Sequence, residues 1–412
     1  MGNLVSEQLS PEIIAKIESL DTDYEEHSIV NYITTSKQKE DFFFNFIINA
    51  VTQSQEFNKF CNIKSEAYKK SFPNRNCYLF PMERKTEYEL DIHDENIVLS
   101  RRIFENKKGY EKEEIICLKS LYKEIAKYNF LNKENSLKFP NFWRISETLK
   151  FLQASKFDNK VAIENLKNHL DFRVNYFPIK LSNKAIEILV KTGFLYVHGR
   201  DRFCRPTIVC RAHGYISNLN KYSYDEFLSA VVFFMEYLIN FLMVPGQIEC
   251  WNIINDLNGV SIFSLPKDFH KFLKFLQVNY RCRLNISYVF GMNTVFEYLW
   301  SIIKTFLDKN VEKKIVFINQ NNREKILDLI LPEQIEKRYG GTCSNIFNDD
   351  GNLEDENFQL FPPIMPEKEN LNEEDKKKLW NEMQYEEMVK EGRITDIAPF
   401  INFDKKGNED NL

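Results

Sequence analysis

The fold of this chain is decided by a stretch that opens with Glu249-Cys-Trp-Asn-Ile-Ile-Asn-Asp256 and runs to Thr342. The opening apolar segment ends at the turn signal Leu257-Asn-Gly259, and a helical pattern follows. The apolar residues of that pattern recur at spacings of three and four: Phe269, Phe272, Leu273, Leu276 and Tyr280. Two more apolar segments, Asn285–Met292 and Lys314–Asn319, alternate with a second helical pattern. Such alternation predicts a parallel sheet that crossover helices cover on both faces.

The second helical pattern, Val295–Leu307, is unusually apolar. Its polar residues Glu297, Ser301, Lys304 and Thr305 fall on one narrow line. The rest of its surface is apolar: Phe296, Tyr298, Leu299, Trp300, Ile302, Ile303, Phe306 and Leu307. An ordinary surface helix carries a narrower apolar face. The helix is therefore either buried on most sides or in contact with something apolar that is not protein.

Charge is unevenly distributed along the chain. The net charge is −5, but residues 347–412 hold 18 Asp/Glu and 8 Lys/Arg, a balance of −10, which leaves +5 on residues 1–346. This excess is too small to predict a nucleic-acid partner. It leaves the main body mildly attracted to an anionic membrane surface.

No motif predicts catalysis. The chain lacks Gly-x-Ser-x-Gly, His-Glu-x-x-His and a phosphate-binding glycine loop, and its 6 histidines are dispersed. Its 8 cysteines include no Cys-x-x-Cys pair, and the N-terminus carries no secretory h-region. We therefore predict a protein with free thiols in the reducing cytoplasm, with no catalytic residue, no metal and no cofactor.

The N-terminus matches a lipidation pattern. Met1-Gly2-Asn-Leu-Val-Ser6 has glycine after the initiator methionine and serine four positions later, which predicts N-myristoylation of Gly2. The alternative is an ordinary N-terminus without a modification. A single myristoyl chain binds membranes only marginally, so the folded body has to supply a second membrane contact.

The pattern divides the chain into four parts. Residues 1–135 are predicted to form an accessory, mostly helical unit, with helices over Asp41–Val51 and Ile115–Tyr128. A helical lobe at 136–180 precedes the α/β lobe at 181–346, and an acidic tail with one helix occupies 347–412. The accessory unit and the tail are candidate contacts for a protein partner.

A second apolar helix is predicted before the sheet, at Phe227–Val244. Glu236 argues against a membrane span, because a carboxylate in mid-bilayer costs about 2.5–3.5 kcal/mol. Ser229, Glu236 and Asn240 share one line and predict a narrow solvated edge. Two apolar helices beside one modest sheet predict an internal cavity, because a ligand can supply the contacts that the sheet cannot.

Several motifs resemble the CRAL-TRIO family of lipid-binding and lipid-transfer proteins. The resemblance covers Phe142–Thr342, and its specificity comes from the order and spacing of the motifs. They are Leu149-Lys-Phe-Leu-Gln-Ala-Ser-Lys-Phe-Asp158, Gly199-Arg-Asp-Arg-Phe-Cys-Arg-Pro206, Asp256-Leu-Asn-Gly259, Phe306-Leu-Asp308 with Lys314-Ile315, and Tyr339-Gly-Gly341. The resemblance implies an α/β three-layer sandwich with a mostly parallel five-stranded sheet and a helical lobe before it.

The resemblance also implies a lipid site. Val295–Leu307 looks like the mobile gate helix of the family, with Phe296, Leu299, Trp300, Ile303 and Phe306 at the ligand or membrane. The implied lipid contacts are Trp251, Ile253, Asn255, Tyr280, Arg283 and Lys314. Cys282 stands where inositol-lipid binders of the family have an acidic residue, whereas Lys314 matches them. Arg283 either contacts a phosphate or is a solvated surface residue.

These patterns lead to two expectations about function. The first is a carrier that binds a phospholipid or another hydrophobic molecule in its cavity. Such a carrier transfers or presents its lipid at cytoplasmic membrane surfaces, where it associates peripherally. The alternative is a lipid-sensing adaptor that recruits a protein partner to membranes without net lipid transfer.

Overall fold

The computed structural model describes residues 48–49, 112–125, 145–201, 205–243, 250–260, 269–291, 300–301, 303–355 and 360. Its strands are β1 (Ile48–Asn49), β2 (Ile179–Lys180), β3 (Leu195–Arg200), β4 (Pro206–Arg211), β5 (Trp251–Asp256), β6 (Leu284–Phe290) and β7 (Ile315–Phe317). Its α-helices are α1 (Lys112–Ile125), α2 (Ile145–Ala154), α3 (Asn159–Tyr176), α4 (Asn183–Lys191), α5 (Ala212–Ile216), α6 (Tyr224–Tyr237), α7 (Phe269–Asn279) and α8 (Lys309–Glu312).

The main sheet has five strands in the order β3-β4-β5-β6-β7. β3 and β4 form an antiparallel hairpin, and the pairs β4–β5, β5–β6 and β6–β7 are parallel. The predicted α/β fold with a mostly parallel five-stranded sheet is therefore confirmed. Pro206 opens β4, where its missing N–H removes no bond from the middle of the strand.

The two faces of the sheet are covered differently. Side chains of α6 and α7 face the sheet on one side, across a cavity. On the other side lies the chain that follows β7, where the hydroxyl of Tyr339 donates to Asp256 Oδ2 at 2.8 Å and the hydroxyl of Tyr196 donates to Glu336 Oε2 at 2.8 Å. The prediction that crossover helices cover both faces is therefore wrong. Parallel strands in sequential order, joined by crossovers of one hand, place their helices on one side.

The chain after β7 is held by short turns. Three 3₁₀ turns span Arg323–Asp328, Pro332–Gln334 and Lys337–Tyr339. Gly341 lies so close to its neighbours that an added Cβ would stand 1.9 Å from the carbonyl oxygen of Ile335. Beyond these turns, the carbonyl of Leu360 accepts a hydrogen bond of 3.1 Å from the backbone N–H of Val197 on β3, and Leu360 is fully buried.

The helical lobe follows the predicted pattern. α2 and α3 are separated at Ser155–Asp158, where Lys156 and Phe157 have positive φ angles of 49° and 60°. Asp158 caps α3, because its side chain accepts hydrogen bonds from the backbone N–H groups of Lys160 and Val161. α1 packs on α2 and α3, and it begins three residues before the predicted helix at Ile115–Tyr128.

One local prediction in the N-terminal region is wrong. The segment Asp41–Val51 is predicted to be helical, but Ile48–Asn49 form a strand that pairs in parallel with Ile179–Lys180. Backbone pairing with this neighbouring strand overrides the helical periodicity of the phenylalanines. Gly2 and the predicted tail helix lie outside the described residues.

The apolar helix before the sheet changes its geometry along its length. α6 ends at Tyr237 and continues as a π-helical segment over Leu238–Leu242. Ser223 and Glu226 form a capping box at its start. No helix among the described residues has the length and apolar content needed to cross a bilayer.

Candidate functional site: an apolar cavity

A cavity of about 640 Å³ lies between the sheet and its helices. This volume falls within the range of about 300–1,000 Å³ that is typical of small-molecule sites. Most of the lining is aliphatic or aromatic, and α6 and α7 supply much of it: Phe227, Leu228, Val231, Met235, Phe269, Phe272, Leu273 and Leu276. An elongated apolar molecule would find few charged groups along these walls.

β5 supplies the centre of the cavity floor. Trp251, Ile253 and Asn255 all line the cavity, because alternate residues of a strand share one face. Trp251 is buried, whereas Ile253 and Asn255 are half-buried. The next residue, Asp256, points to the opposite face, where it accepts the hydrogen bond from Tyr339.

Two further predicted residues line the cavity near the amino ends of β6 and β7. Tyr280 lies just before β6, and its hydroxyl donates to Glu236 Oε1 at 3.2 Å. Burial first, and then the Glu236 carboxylate, raise the pKa of Tyr280 well above its ordinary value. The Lys314 ammonium donates to the carbonyl oxygen of Leu284 at 2.8 Å. Lys314 therefore reaches this end of the cavity with its charge already hydrogen-bonded to the backbone.

Arg283 does not join these residues. It is buried, so it is not a solvated surface residue, and it is not among the described side chains that line the cavity. Its carbonyl accepts the N–H of Trp251 at 2.9 Å, which fixes it in the ladder at the start of β6. Arg281, two residues earlier, lines the cavity instead, and its Nη2 donates to Asn165 Oδ1 at 2.8 Å. Burial lowers the pKa of Arg281.

The predicted gate helix is only partly described. Trp300, Ile303 and Phe306 line the cavity, whereas Phe296 and Leu299 lie outside the described residues. Trp300 is half-buried, and its ring packs edge-on against Phe317 of β7 with centroids 5.0 Å apart. Phe306 is 47% exposed.

The helix does not continue to Leu307 as predicted. It ends in a 3₁₀ turn over Lys304–Phe306. Gln277 of α7 holds this turn, donating to the carbonyl of Phe306 at 3.0 Å and accepting from the N–H of Asp308 at 2.8 Å. These side-chain bonds satisfy backbone groups at the helix end that regular helix geometry would leave unpaired.

The environment of Glu236 is the largest difference between the structure and the prediction from the sequence. The predicted solvated edge is wrong, because Glu236 is only 2% exposed. Arg173 of α3 donates to its Oε1 at 2.6 Å, and Tyr280 donates to the same atom. The guanidinium of Arg173 also lies 4.0 Å from the centre of the Phe177 ring. A buried ion pair therefore joins the helical lobe to the helix above the cavity.

Sequence reasoning also missed a polar contact in the floor. The Asn255 side-chain amide donates to Ser287 Oγ at 2.8 Å, and both residues line the cavity. Periodicity cannot find Ser287, because β6 has one residue more than β5 between the pairs Trp251–Leu284 and Ile253–Ser287. This irregularity changes which residues of β6 face the cavity.

The side chains at the cavity favour binding over chemical reaction. Burial raises the pKa of the Cys210 thiol to about 12, and burial also raises the pKa of Cys282, so neither side chain is a ready thiolate nucleophile. Within the described ranges, no three His, Cys, Asp or Glu side chains are grouped so that they could hold a metal ion.

Part of this chain is similar to known proteins. Residues 190–341 match the family model of the CRAL/TRIO domain. The phosphatidylinositol/phosphatidylcholine transfer protein SFH7 of Arabidopsis thaliana is 25% identical over 214 residues, which are 48% of this chain and 39% of that protein. Clavesin-1 of Rattus norvegicus is 27% identical over 203 residues, which are 47% of this chain and 56% of that protein.

These matches cover only part of each protein, about two fifths of SFH7. The crystal structure of Sfh5 aligns with this protein at a TM-score of 0.43 and 17% sequence identity. The alignment covers 68% of this chain and 98% of the Sfh5 chain. The matched residues include the sheet, α6, α7 and the turns after β7. Residues 190–341 of this protein form a CRAL/TRIO domain, as the motifs of the sequence indicate.

Proposed function

We propose that this protein binds a lipid in its cavity and transfers or presents it at cytoplasmic membrane surfaces. The observation that carries the proposal is an apolar cavity of about 640 Å³ between α6, α7 and the sheet. The names of the partial relatives, which describe phosphatidylinositol and phosphatidylcholine transfer, support a phospholipid as the ligand. The protein is proposed to be a carrier and not an enzyme.

The energetic role of the cavity follows from transfer free energies. Each buried CH₂ group is worth about 0.8 kcal/mol, so a long acyl chain resists entering water by roughly 10 kcal/mol or more. A protein that docks on a bilayer and opens an apolar helix to it lets the lipid pass between two apolar environments. Trp300, Ile303 and Phe306 line the cavity at this proposed gate, to which Phe296 and Leu299 also belong.

The remaining site residues divide by chemistry. Trp251, Ile253 and Asn255 form the floor under the ligand, and Tyr280 and Lys314 stand at the end where β6 and β7 begin. We assign the apolar part of the lipid to the floor and an anionic headgroup, where the lipid has one, to Lys314. Arg283 has no place in this assignment, because it does not line the cavity.

Replacing Trp300 with glutamate tests the gate. A carboxylate at this half-buried position opposes both closure over an apolar ligand and entry of the gate into the bilayer. We expect vesicle-to-vesicle transfer of a fluorescent phosphatidylcholine to slow at least tenfold, with an unchanged circular dichroism spectrum.

The matched control is Val161→Glu, which places the same charge on α3 at a residue that is 44% exposed. This variant should transfer lipid at the native rate. An equal transfer rate in the Trp300 and Val161 variants would rule out the gate assignment.

The adaptor remains the second candidate because of the chain outside the matched domain. Residues 347–412 carry a balance of −10, and residues 1–135 precede the helical lobe, so either segment offers a contact for a protein partner. The transfer assay separates the two functions. An adaptor extracts lipid in a one-to-one ratio yet does not accelerate exchange between vesicles.

We further propose that Gly2 is myristoylated and that the chain associates peripherally with membranes. The sequence Met1-Gly2-Asn-Leu-Val-Ser6 supports the modification. Gly2→Ala should remove the myristoyl mass from the intact protein and lower its flotation with anionic liposomes several-fold, because one acyl chain is a weak anchor. A native protein that carries no myristoyl mass after expression in eukaryotic cells would contradict acylation.

A further inference from the structure

The floor of the cavity contains one neutral polar pair among apolar neighbours. Asn255 of β5 donates to Ser287 Oγ of β6 at 2.8 Å, and both side chains line the cavity. Their neighbours in the sheet, Ile253, Val289 and Ile315, line the cavity as well. The pair therefore lies within the wall of the cavity, surrounded by groups with which it cannot form strong hydrogen bonds.

The hydrogen-bonding capacity of this pair is not used up. One amide N–H of Asn255 is donated to Ser287, which leaves the second amide N–H and the Oδ1 atom of Asn255 and the hydroxyl hydrogen of Ser287. Among the described residues, neither side chain forms a further hydrogen bond. Ser287 is only 5% exposed, so a ligand that seals the cavity has to satisfy this hydroxyl or leave it unpaired.

Charge recognition takes place elsewhere in the cavity. The Lys314 ammonium is bonded to the carbonyl of Leu284, three residues before Ser287 along β6. Leu284 and Ser287 pair with Trp251 and Ile253 of β5, which are two residues apart, so these positions of β6 are separated by roughly 7 Å. Arg281, the other basic residue near this end, is bonded to Asn165 of α3. The pair formed by Asn255 and Ser287 is therefore neutral and suits an uncharged group in the body of the ligand.

We infer that Asn255 and Ser287 form a recognition site for a hydroxyl group carried by an otherwise apolar ligand. A hydroxyl oxygen accepts the Ser287 O–H, and its own hydrogen is donated to Asn255 Oδ1, so one ligand hydroxyl satisfies both of these groups. An ether accepts from Ser287 but leaves Asn255 Oδ1 unpaired, and a hydrocarbon satisfies neither. Sites built to bond a hydroxyl reject analogues without one strongly. This inference rests on the proposed function, because it requires that the cavity holds a lipid.

The test uses three single-chain probes of matched length: hexadecan-1-ol, 1-methoxypentadecane and heptadecane. The full-length protein is incubated with phosphatidylcholine vesicles that carry all three, re-isolated and extracted for gas chromatography. Uptake of each probe is divided by its abundance in the vesicles. We expect the native protein to enrich the alcohol about tenfold over the ether, because the ether leaves the buried Asn255 acceptor unpaired.

Two variants and a control sharpen the result. Asn255→Leu should take up alcohol and ether equally, since the acceptor that distinguishes them is gone. Ser287→Ala should reduce uptake of both relative to heptadecane. Val161→Leu, an apolar exchange at an exposed residue of α3 that does not line the cavity, should keep the native preference.

The outcomes separate this inference from the proposed function. Uptake of all three probes in vesicle proportions would overturn hydroxyl recognition while leaving lipid binding intact. Persistence of the alcohol preference in Asn255→Leu would also overturn it. Failure of the native protein to take up any probe would overturn lipid binding in the cavity and hydroxyl recognition together.

Discussion

Replacing Arg173 with methionine is expected to lower the free energy of unfolding by about 3–5 kcal/mol. The Arg173 guanidinium and Glu236 Oε1 are 2.6 Å apart, with side-chain exposures of 8% and 3%. Methionine fills a similar volume but removes the cation beside the carboxylate, and Glu236 stays buried. An uncompensated buried charge costs far more than the ion pair contributes. Urea unfolding followed by tryptophan fluorescence measures the difference.

The double variant Arg173→Met/Glu236→Leu provides the decisive comparison. It removes both charges, so most of the lost stability should return. A surface pair supplies the matched control, because Lys184 Nζ and Glu226 Oε1 are 3.7 Å apart and Lys184 is 60% exposed. Lys184→Met should cost less than about 1 kcal/mol. Equal destabilisation by the two single substitutions would show that burial does not set the strength of the Arg173 pair.

Replacing Ile253 with aspartate is expected to reduce lipid uptake at least a hundredfold. Ile253 lies at the centre of the cavity floor and is half-buried. In the lipid-free cavity, water can hydrate the new carboxylate. In the lipid-filled cavity, the carboxylate would face hydrocarbon at a cost of several kcal/mol, and each 1.4 kcal/mol is a factor of ten.

Lipid uptake by the Ile253→Asp variant should also depend on pH, in a direction set by the pKa of the new carboxyl group. Contact with hydrocarbon raises the pKa of a carboxyl group, because burial disfavours the charged form. Uptake by the Ile253→Asp variant should therefore recover as the pH falls and the aspartate becomes neutral. The control Val161→Asp changes the charge equally on an exposed part of α3. Native uptake by the Ile253 variant at pH 7, measured by extraction of bound lipid, would contradict a ligand at this floor.

The sequence was most informative where one period governed the structure. Trp251, Ile253 and Asn255 share the cavity face because β5 is regular from Trp251 to Asp256, so alternation in the sequence is enough to group them. The break between α2 and α3 coincides with Asp158, a residue type that favours N-caps.

Other features depend on contacts between distant segments and could not be read from local patterns. Glu236 looked like part of a solvated helix edge, because its partner Arg173 is 63 positions away in sequence. Ser287 reaches the cavity through the extra residue in β6, and a strict two-residue period excludes such a shift. The layer of 3₁₀ turns behind the sheet has no long periodicity of its own, so apolar patterning left it unassigned.

The contact between Val197 and Leu360 has a consequence for solubility. β3 is an edge strand of the sheet, and an edge strand with unpaired backbone groups is a template for self-association. The backbone N–H of Val197 on β3 donates to the carbonyl of Leu360, and the Leu360 side chain is buried. A truncation before Leu360 would therefore uncover this donor and promote aggregation, even though it leaves every residue of the CRAL/TRIO domain in place.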